Sequence, residues 1–207
     1  METRTLHILE QVSKLYGRYG IKSVTMDDVA RHLCISKKTL YEHFKDKEDL
    51  VRSILFLEHG IQNKMHNEIL ARDLNAVEEL LEVYNLIHTR FRDYNPSMEY
   101  DVRKYYPDLH INIREVRRKN MFESFLNNMN KGKKEGLYRK ELNTRIIAKL
   151  HVFRVENLYE NDLFSIEELI SFHVFHELFV YHLHGILSAK GLTFFKKNFK
   201  KFKASLA

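Results

Sequence analysis

The stretch Val24-Thr25-Met26-Asp27-Asp28-Val29-Ala30, followed after four residues by Ile35-Ser36-Lys37-Lys38-Thr39-Leu40-Tyr41-Glu42-His43-Phe44-Lys45-Asp46-Lys47-Glu48-Asp49-Leu50, decides the fold. Thr25 reads as a helix N-cap, with Asp28 three residues on as a shortened capping-box acid. Met26, Val29, Ala30 and Leu33 then make a short apolar face. Ser36 caps the next helix, Lys37 to Phe44, whose inward stripe is Leu40, Tyr41 and Phe44. Asp46 caps a fourth, through Leu50, Val51, Ile54, Leu55 and Leu57, with periodicity fading near Asn67.

Upstream, Leu6, Leu9, Val12, Leu15, Tyr16 and Tyr19 repeat at helical spacing from about Thr3, and Gly20 follows where a left-handed residue ends a helix. Three helices of about 15, 8 and 8 residues, joined by short connections, describe a helix-turn-helix bundle followed by a long linking helix. The third helix is too short to be a core element alone. Its other face carries Lys37, Lys38, Thr39, Glu42 and His43. Small polar and cationic residues in a first turn suit hydrogen bonding to base edges in a major groove. Amides at the starts of the third and fourth helices suit phosphates, and Thr25 can do the same.

These residues resemble the DNA-binding domain of the tetracycline-repressor (TetR) family of bacterial regulators. Arg4, Ile8-Leu9, Leu15-Tyr16, Gly20-Ile21, Val24-Thr25-Met26 and Val29-Ala30 fit its first two helices, and Ser36 to Leu50 fit its recognition helix and the start of the fourth. The resemblance covers residues 4–55, roughly a quarter of the chain, at many fixed spacings. It implies that Lys37, Lys38 and Thr39, with Ser36 at the cap, reach bases and flanking phosphates. Tyr41 and His43 would touch the backbone or nearby bases, and Lys47 would bind phosphate. The competing reading makes Tyr41 a packing residue and the lysines a solvated face.

Cys34 departs from the family's usual glycine in this turn, so the turn must either adopt a strained φ > 0 or shift. As the only cysteine it permits no intrachain disulfide and no all-Cys zinc site. It reads as a small, partly buried hydrophobe in preference to a redox-sensing thiol, which needs an exposed, acidified sulfur.

Beyond Ala71 the pattern stays helical. Leu74 to Ile87 repeat at helical spacing, Asn95-Pro96 breaks the chain, and a short helix reaches Tyr105-Tyr106. Pro107 starts another, which ends in the loop Gly132 to Gly136. Helices follow at Thr144–Leu158 and, opened by a Ser165/Glu168 capping box, at Ile166–Leu187. The architecture is all-α with about nine helices. An N-terminal DNA-binding domain spans residues 2–62 (helix-turn-helix about 25–44), and a larger helical regulatory and dimerisation domain spans 63–207. The last helix holds His173, His176, Glu177, His182 and His184. His173 and Glu177, four apart, could share a metal, but on so apolar a helix they read as hydrogen-bonded interior groups, and no metal or cofactor is assigned.

By the same resemblance the last two long helices pair with a second copy, with Phe153, Phe172, Phe175, Phe179 and Leu183 at the interface. The homodimer would read a palindromic operator in double-stranded DNA. Phe91, Tyr94, Tyr100, Tyr105, Met121, Phe122 and Phe125 would, as a group, line the pocket of a small-molecule effector. A ligand-independent DNA-binding regulator is the first alternative. A helical small-molecule carrier or metalloenzyme with an appended helix-turn-helix is the second.

Composition sets the outer limits. Seven Gly and two Pro in 207 residues are too few for a turn-rich β fold. Lacking a Gly-rich phosphate loop, a G-x-S-x-G or a CxxC, the chain carries no catalytic signature, and an enzyme is not expected. With no secretory leader and no 18-residue apolar run, it reads as cytoplasmic and without a membrane partner. The net charge of +6 is misleading. Residues 1–60 hold ten Lys and Arg against nine Asp and Glu, whereas the tail from Lys190 holds six Lys and no acid. That tail reads as a solvated or frayed amphipathic end whose Phe194, Phe195, Phe199 and Phe202 pack on the body.

Overall fold

The computed structural model describes residues 3–91, 96–157, 163–165, 168 and 171–204, with side chains at all of these except 90, 91, 96, 97 and 200–204. Among the described residues ten helices run in order: α1 (Thr3–Tyr19), α2 (Met26–His32), α3 (Lys37–His43), α4 (Lys47–Leu70), α5 (Ala76–Phe91), α6 (Pro96–Tyr105), α7 (Pro107–Lys134), α8 (Thr144–Asn157), α9 (Phe172–Ile186) and α10 (Ala189–Ala204). None of them is long and apolar enough to cross a membrane. Two compact units emerge. One comprises Met1–Lys64 with Asn95–Arg117, the other Met65–Tyr94 with Arg118–Ala207.

The first unit is built on Leu9, Val12, Tyr16, Ile21, Val29, Leu40, Leu50 and Val51, all without solvent exposure. Fully burying each such aliphatic side chain contributes about 1.5–3 kcal/mol. Val102 of α6 and Leu109 of α7 complete this core, and α6 packs on α1. The helix starts form as the sequence indicates. The Thr25 hydroxyl accepts from Asp28 N–H at 3.2 Å while Thr25 N–H donates to the Asp28 carboxylate at 3.0 Å. Ser36 Oγ accepts from Thr39 N–H at 3.0 Å. Asp46 accepts from Asp49 N–H at 2.8 Å, and Asp49 accepts in return from Lys45 N–H at 3.0 Å.

The end of α2 answers the question posed by Cys34. Ile35 N–H donates to Ala30 O (3.0 Å) and Cys34 N–H to Arg31 O (3.2 Å), the two bonds of a Schellman stop. Cys34 occupies its left-handed position at φ 53° and is exposed. The chain accepts the strain and keeps the turn, so the expectation of a partly buried hydrophobe does not hold.

In the second unit α9 and α10 pack on α5. The core holds Ala76, Val77, Leu81, Met129, Tyr138, Ala148, Leu183, Ile186 and Phe195. Beside it lies a polar network. Buried Glu79 accepts from Lys131 Nζ (2.5 Å) and Asn128 Nδ2 (2.9 Å), and the Tyr138 hydroxyl donates to Asn128 Oδ1 (2.7 Å).

Three expectations change here. α7 runs through Gly132 and stops only at Lys134, with Gly136 at φ +72° accepting the left-handed position of a second Schellman stop. The last long helix begins at Phe172. The Ser165/Glu168 capping box forms, but Ser171 is extended (φ −78°, ψ 135°), and its hydroxyl donates to Glu168 O. The tail, expected to be solvated or frayed, is helical at Ala189–Ala204. It is seated by Phe195, with Phe194 and Phe199 packed on the core, while Phe202 lies outside the described side chains. Its start is fastened to the loop after α7: Ser188 N–H donates to Leu137 O, Arg139 N–H to Ile186 O, and Ser188 Oγ to Gly136 O.

Candidate nucleic-acid interface

Helix α3 is anchored from below by Leu40 and Phe44, both buried, so its first turn and opposite face are set against a rigid base. Lys38 is exposed with no partner among the described residues, and Tyr41 is 48% exposed. Tyr41 therefore leaves the inward stripe in which the spacing placed it. Lys37 forms an ion pair with Asp27 of α2, which holds its ammonium beside the α2 start. Thr39 and Ser36 hydroxyls lie 2.8 Å apart in a hydrogen bond, so both are engaged by the cap while remaining at the surface.

His43 is half-buried and hydrogen-bonded through Nδ1 to the Thr5 hydroxyl at 3.0 Å, tying the end of α3 to the start of α1. Thr25 is committed to its capping box, which holds the Asp28 carboxyl below its ordinary pKa by hydrogen bonds from Thr25. Lys47 donates to the Lys22 carbonyl at 3.4 Å. Burial pulls its pKa down, opposed by the nearby Asp101 and Asp28 carboxylates.

The arrangement brings Lys37 to α2 and Lys47 to the α1–α2 turn, so two of the four cations near α3 are positioned by partners. Sequence reasoning missed those partners. Asp27 was legible as a first-turn acid but not as a clamp. Asp101, which accepts from Lys22 N–H at 2.9 Å across 79 residues, carried no local signal.

Residues 8–54 match the family of bacterial regulatory proteins, tetR family. Residues 8–54 therefore form a DNA-binding domain of the TetR type. One curated relative, the HTH-type transcriptional regulator AcrR of Shigella flexneri, is 30% identical over 84 residues, 39% of each chain. The chain spans between 39% and 64% of the length of the curated relatives it matches first. Among solved structures, a transcriptional regulator from Cytophaga hutchinsonii superposes with a TM-score of 0.74 at 19% identity, covering 90% of this chain and all of that one. AibR, solved with isovaleryl coenzyme A and operator DNA, superposes at 0.55 and 18% identity, covering 81% of this chain and 93% of that one. These likenesses extend the TetR fold to the helices beyond α4.

The residues expected to line a TetR effector pocket are dispersed. Tyr100 and Tyr105 belong to the first unit, where both are exposed and Lys104 lies over their rings at 5.1 and 5.5 Å. Met121, Phe122 and Phe125 belong to the second, with Phe125 buried and Arg145 over Phe122. Tyr94 and the Phe91 side chain lie outside the described residues. Two clefts among the described residues use none of the seven. One, of about 210 Å³, lies between α1 and α4 around Ser13, Ile54 and Glu58, and the other, of about 350 Å³, around Ile69, Arg72 and Leu86.

Of the expected interface residues, Phe153 is 65% exposed, in line with exposed Ile146 and Leu150 on α8. Leu183 is fully buried and Phe179 packs against the same core, while Phe172 and Phe175 enclose the Tyr84 ring at 5.1 and 5.5 Å. In the single chain Phe172, Phe175 and Phe179 are half-buried. The most exposed residues of α9 include His173, Glu177, Tyr181 and His184. Only His176 meets the expectation of an internally hydrogen-bonded histidine, 2.6 Å from the Tyr84 hydroxyl, whose own pKa burial raises to about 12. Among the described residues no three of His, Cys, Asp and Glu gather as a metal site.

Proposed function

We propose that this chain is a homodimeric TetR-family repressor that reads an inverted-repeat operator through α3 and is released by a small-molecule effector. The carrying observation is the first turn of α3. Ser36 caps it, buried Leu40 anchors it, and Lys38 is left exposed beside Tyr41. In this reading Lys38 and Thr39 address base edges and flanking phosphates, Tyr41 lies along the backbone, and Lys37 keeps its place through Asp27. Lys47 and the first amides of α4 receive a neighbouring phosphate.

A second copy docks on the stripe Ile146, Leu150 and Phe153, which is apolar and open in the single chain. A two-fold dimer would set its recognition helices about 34–36 Å apart, one turn of B-DNA. An effector bound within the second unit must favour the non-binding spacing by about 1–3 kcal/mol to cause release. That a fold-mate was solved with an acyl coenzyme A and operator DNA supports the coupling of the two ligands on this fold.

Selecting and sequencing the DNA fragments that the purified chain retains tests the reading. An inverted repeat is expected, bound more weakly by Thr39→Ala/Lys47→Ala, with the dimer intact by sedimentation. Undiminished affinity of that double variant overturns it.

A further inference from the structure

Among the described residues, four cations of the second unit, Arg72, Arg118, Lys131 and Arg139, meet a carboxylate, and of the others Arg154 alone has a side-chain nitrogen closed off from solvent without an acceptor. Arg154, on α8, meets no carboxylate among the described residues. Its Nη2 reaches only His151 Nδ1, at 3.4 Å, and its Nε is closed off from solvent without an acceptor. Glu156, two residues on, is already held by Arg118 at 2.9 Å through both oxygens.

Two histidines flank this guanidinium. His151 lies flat against Phe125, ring centres 4.0 Å apart and planes 3° from parallel. His182, on α9, sits 5.0 Å from both of those rings, and its Nε2 is closed off without a partner. An imidazole that accepts from Arg154 at Nδ1 is neutral and carries its proton on the other nitrogen. Burial holds both histidines neutral, and the Arg154 charge adds to the effect. Neither ring can therefore supply the missing negative charge.

Arg154 is half-buried with its Nε withdrawn from water, and burial pulls its pKa down, so a guanidinium placed there without a counter-ion is destabilising and an anion that reached it would be favoured. A guanidinium fork matches a carboxylate in two parallel hydrogen bonds, and an imidazole N–H can add a third. The aromatic surfaces of Phe125, His151 and His182 suit an apolar body behind that carboxylate. We propose that Arg154, with His151 and His182, receives the carboxylate of a small organic acid bearing an apolar body. The assignment rests on the regulator reading only in making this acid the effector.

Calorimetric titration of the full chain with benzoate and with octanoate, each against its neutral amide, tests the site. At least one acid should bind about tenfold or more tightly than its amide and raise the melting temperature, since the amide cannot complete the charge pair. Arg154→Gln should lose that preference while the unliganded protein melts no lower than before, because an unpaired charge has been removed. His182→Gln should weaken the acid and leave the amide alone. Equal binding of acid and amide, no binding of either acid, or undiminished acid binding by Arg154→Gln overturns the proposal. So does a lower melting temperature of Arg154→Gln together with full acid binding by His182→Gln, which makes the arginine structural. The regulator reading is judged separately, on selected DNA. If the acid binds through Arg154 yet leaves the DNA complex intact, the site stands and its role as effector site falls.

Discussion

In the first unit Thr25, Ser36 and Asp46 place their side chains on the opening turns of α2, α3 and α4, above an interior formed mainly of aliphatic groups with Tyr16 and Phe44. In the second unit Glu79, Asn128 and Lys131 form a network beside the core, and His151, Arg154 and His182 form a cluster short of one partner. Polar groups at helix ends stay near water and fix where each helix begins, which suits a surface that must present side chains reproducibly. Polar groups inside must be matched atom for atom, and an unmatched one is an opening for chemistry from outside. Even the helix stops differ. Gly136 takes its left-handed conformation without a Cβ, whereas Cys34 takes the same conformation at the threshold of α3 with one.

The contrast breaks most visibly if the second unit tolerates added volume. A Cβ on buried Gly191 would sit 2.0 Å from the Leu137 carbonyl oxygen, at the seam joining α10 to the loop after α7. Gly191→Ala should destabilise the protein by roughly 3 kcal/mol, read as a lowered denaturant midpoint, because backbone must move to admit it.

Acid should act next. Burial pulls the His182 pKa down to about 3 in the folded chain, so the unfolded chain binds protons first as pH falls below about 6.5. The stability His182 supports is thus whole above that pH and shrinks on acidification, by about 2 kcal/mol at pH 5. His151 and His66 of the same unit share the direction, whereas His59 is its one described counterpart in the first. The lowered Asp28 acts only nearer pH 4 and below. Calorimetric scans from pH 7 to pH 5 should show falling stability, and a flat profile would contradict the buried-histidine account.

Smaller effects probe the first unit. Lys38→Ala should weaken DNA binding by about 1 kcal/mol across sequences and reduce the salt slope by about one, the signature of a lost phosphate contact. A loss confined to one base position would make Lys38 a reader of sequence instead. Cys34→Gly should stabilise by up to about 1 kcal/mol by relieving the left-handed strain. A melting temperature unchanged or lowered by that substitution would show that the turn carries no such strain.

The helix-turn-helix was legible because its signals are local. Caps, an apolar stripe and a turn all fall within four residues of the positions they govern. What was not legible involves partners far along the chain. Asp101 reaches Lys22 across 79 residues, and Phe125 meets His151 and His182 from three separate helices. In the tail the packing of Phe194, Phe195 and Phe199 was legible in their spacing, whereas six lysines without an acid suggested a frayed end where a helix forms. On α9 the apolar run hid two faces. Leu183 and Ile186 turn inward, while Tyr181, 76% exposed, and His184 turn outward.

The discontinuity of the first unit has a consequence for inheritance and engineering. Because Asn95–Arg117 returns to it, the chain passes between the units three times, at 64/65, 94/95 and 117/118. A hybrid gene spliced once after α4 would graft the DNA-reading helices without Val102 and Leu109, leaving Tyr16, Leu50 and their neighbours short of two native neighbours in their core. Such a hybrid should be poorly soluble unless the recipient supplies a compatible α6 and start of α7. The reading head is therefore not a cassette that recombination can exchange with one crossover. Its specificity can drift by substitution on the exposed face of α3 far more readily than it can be swapped.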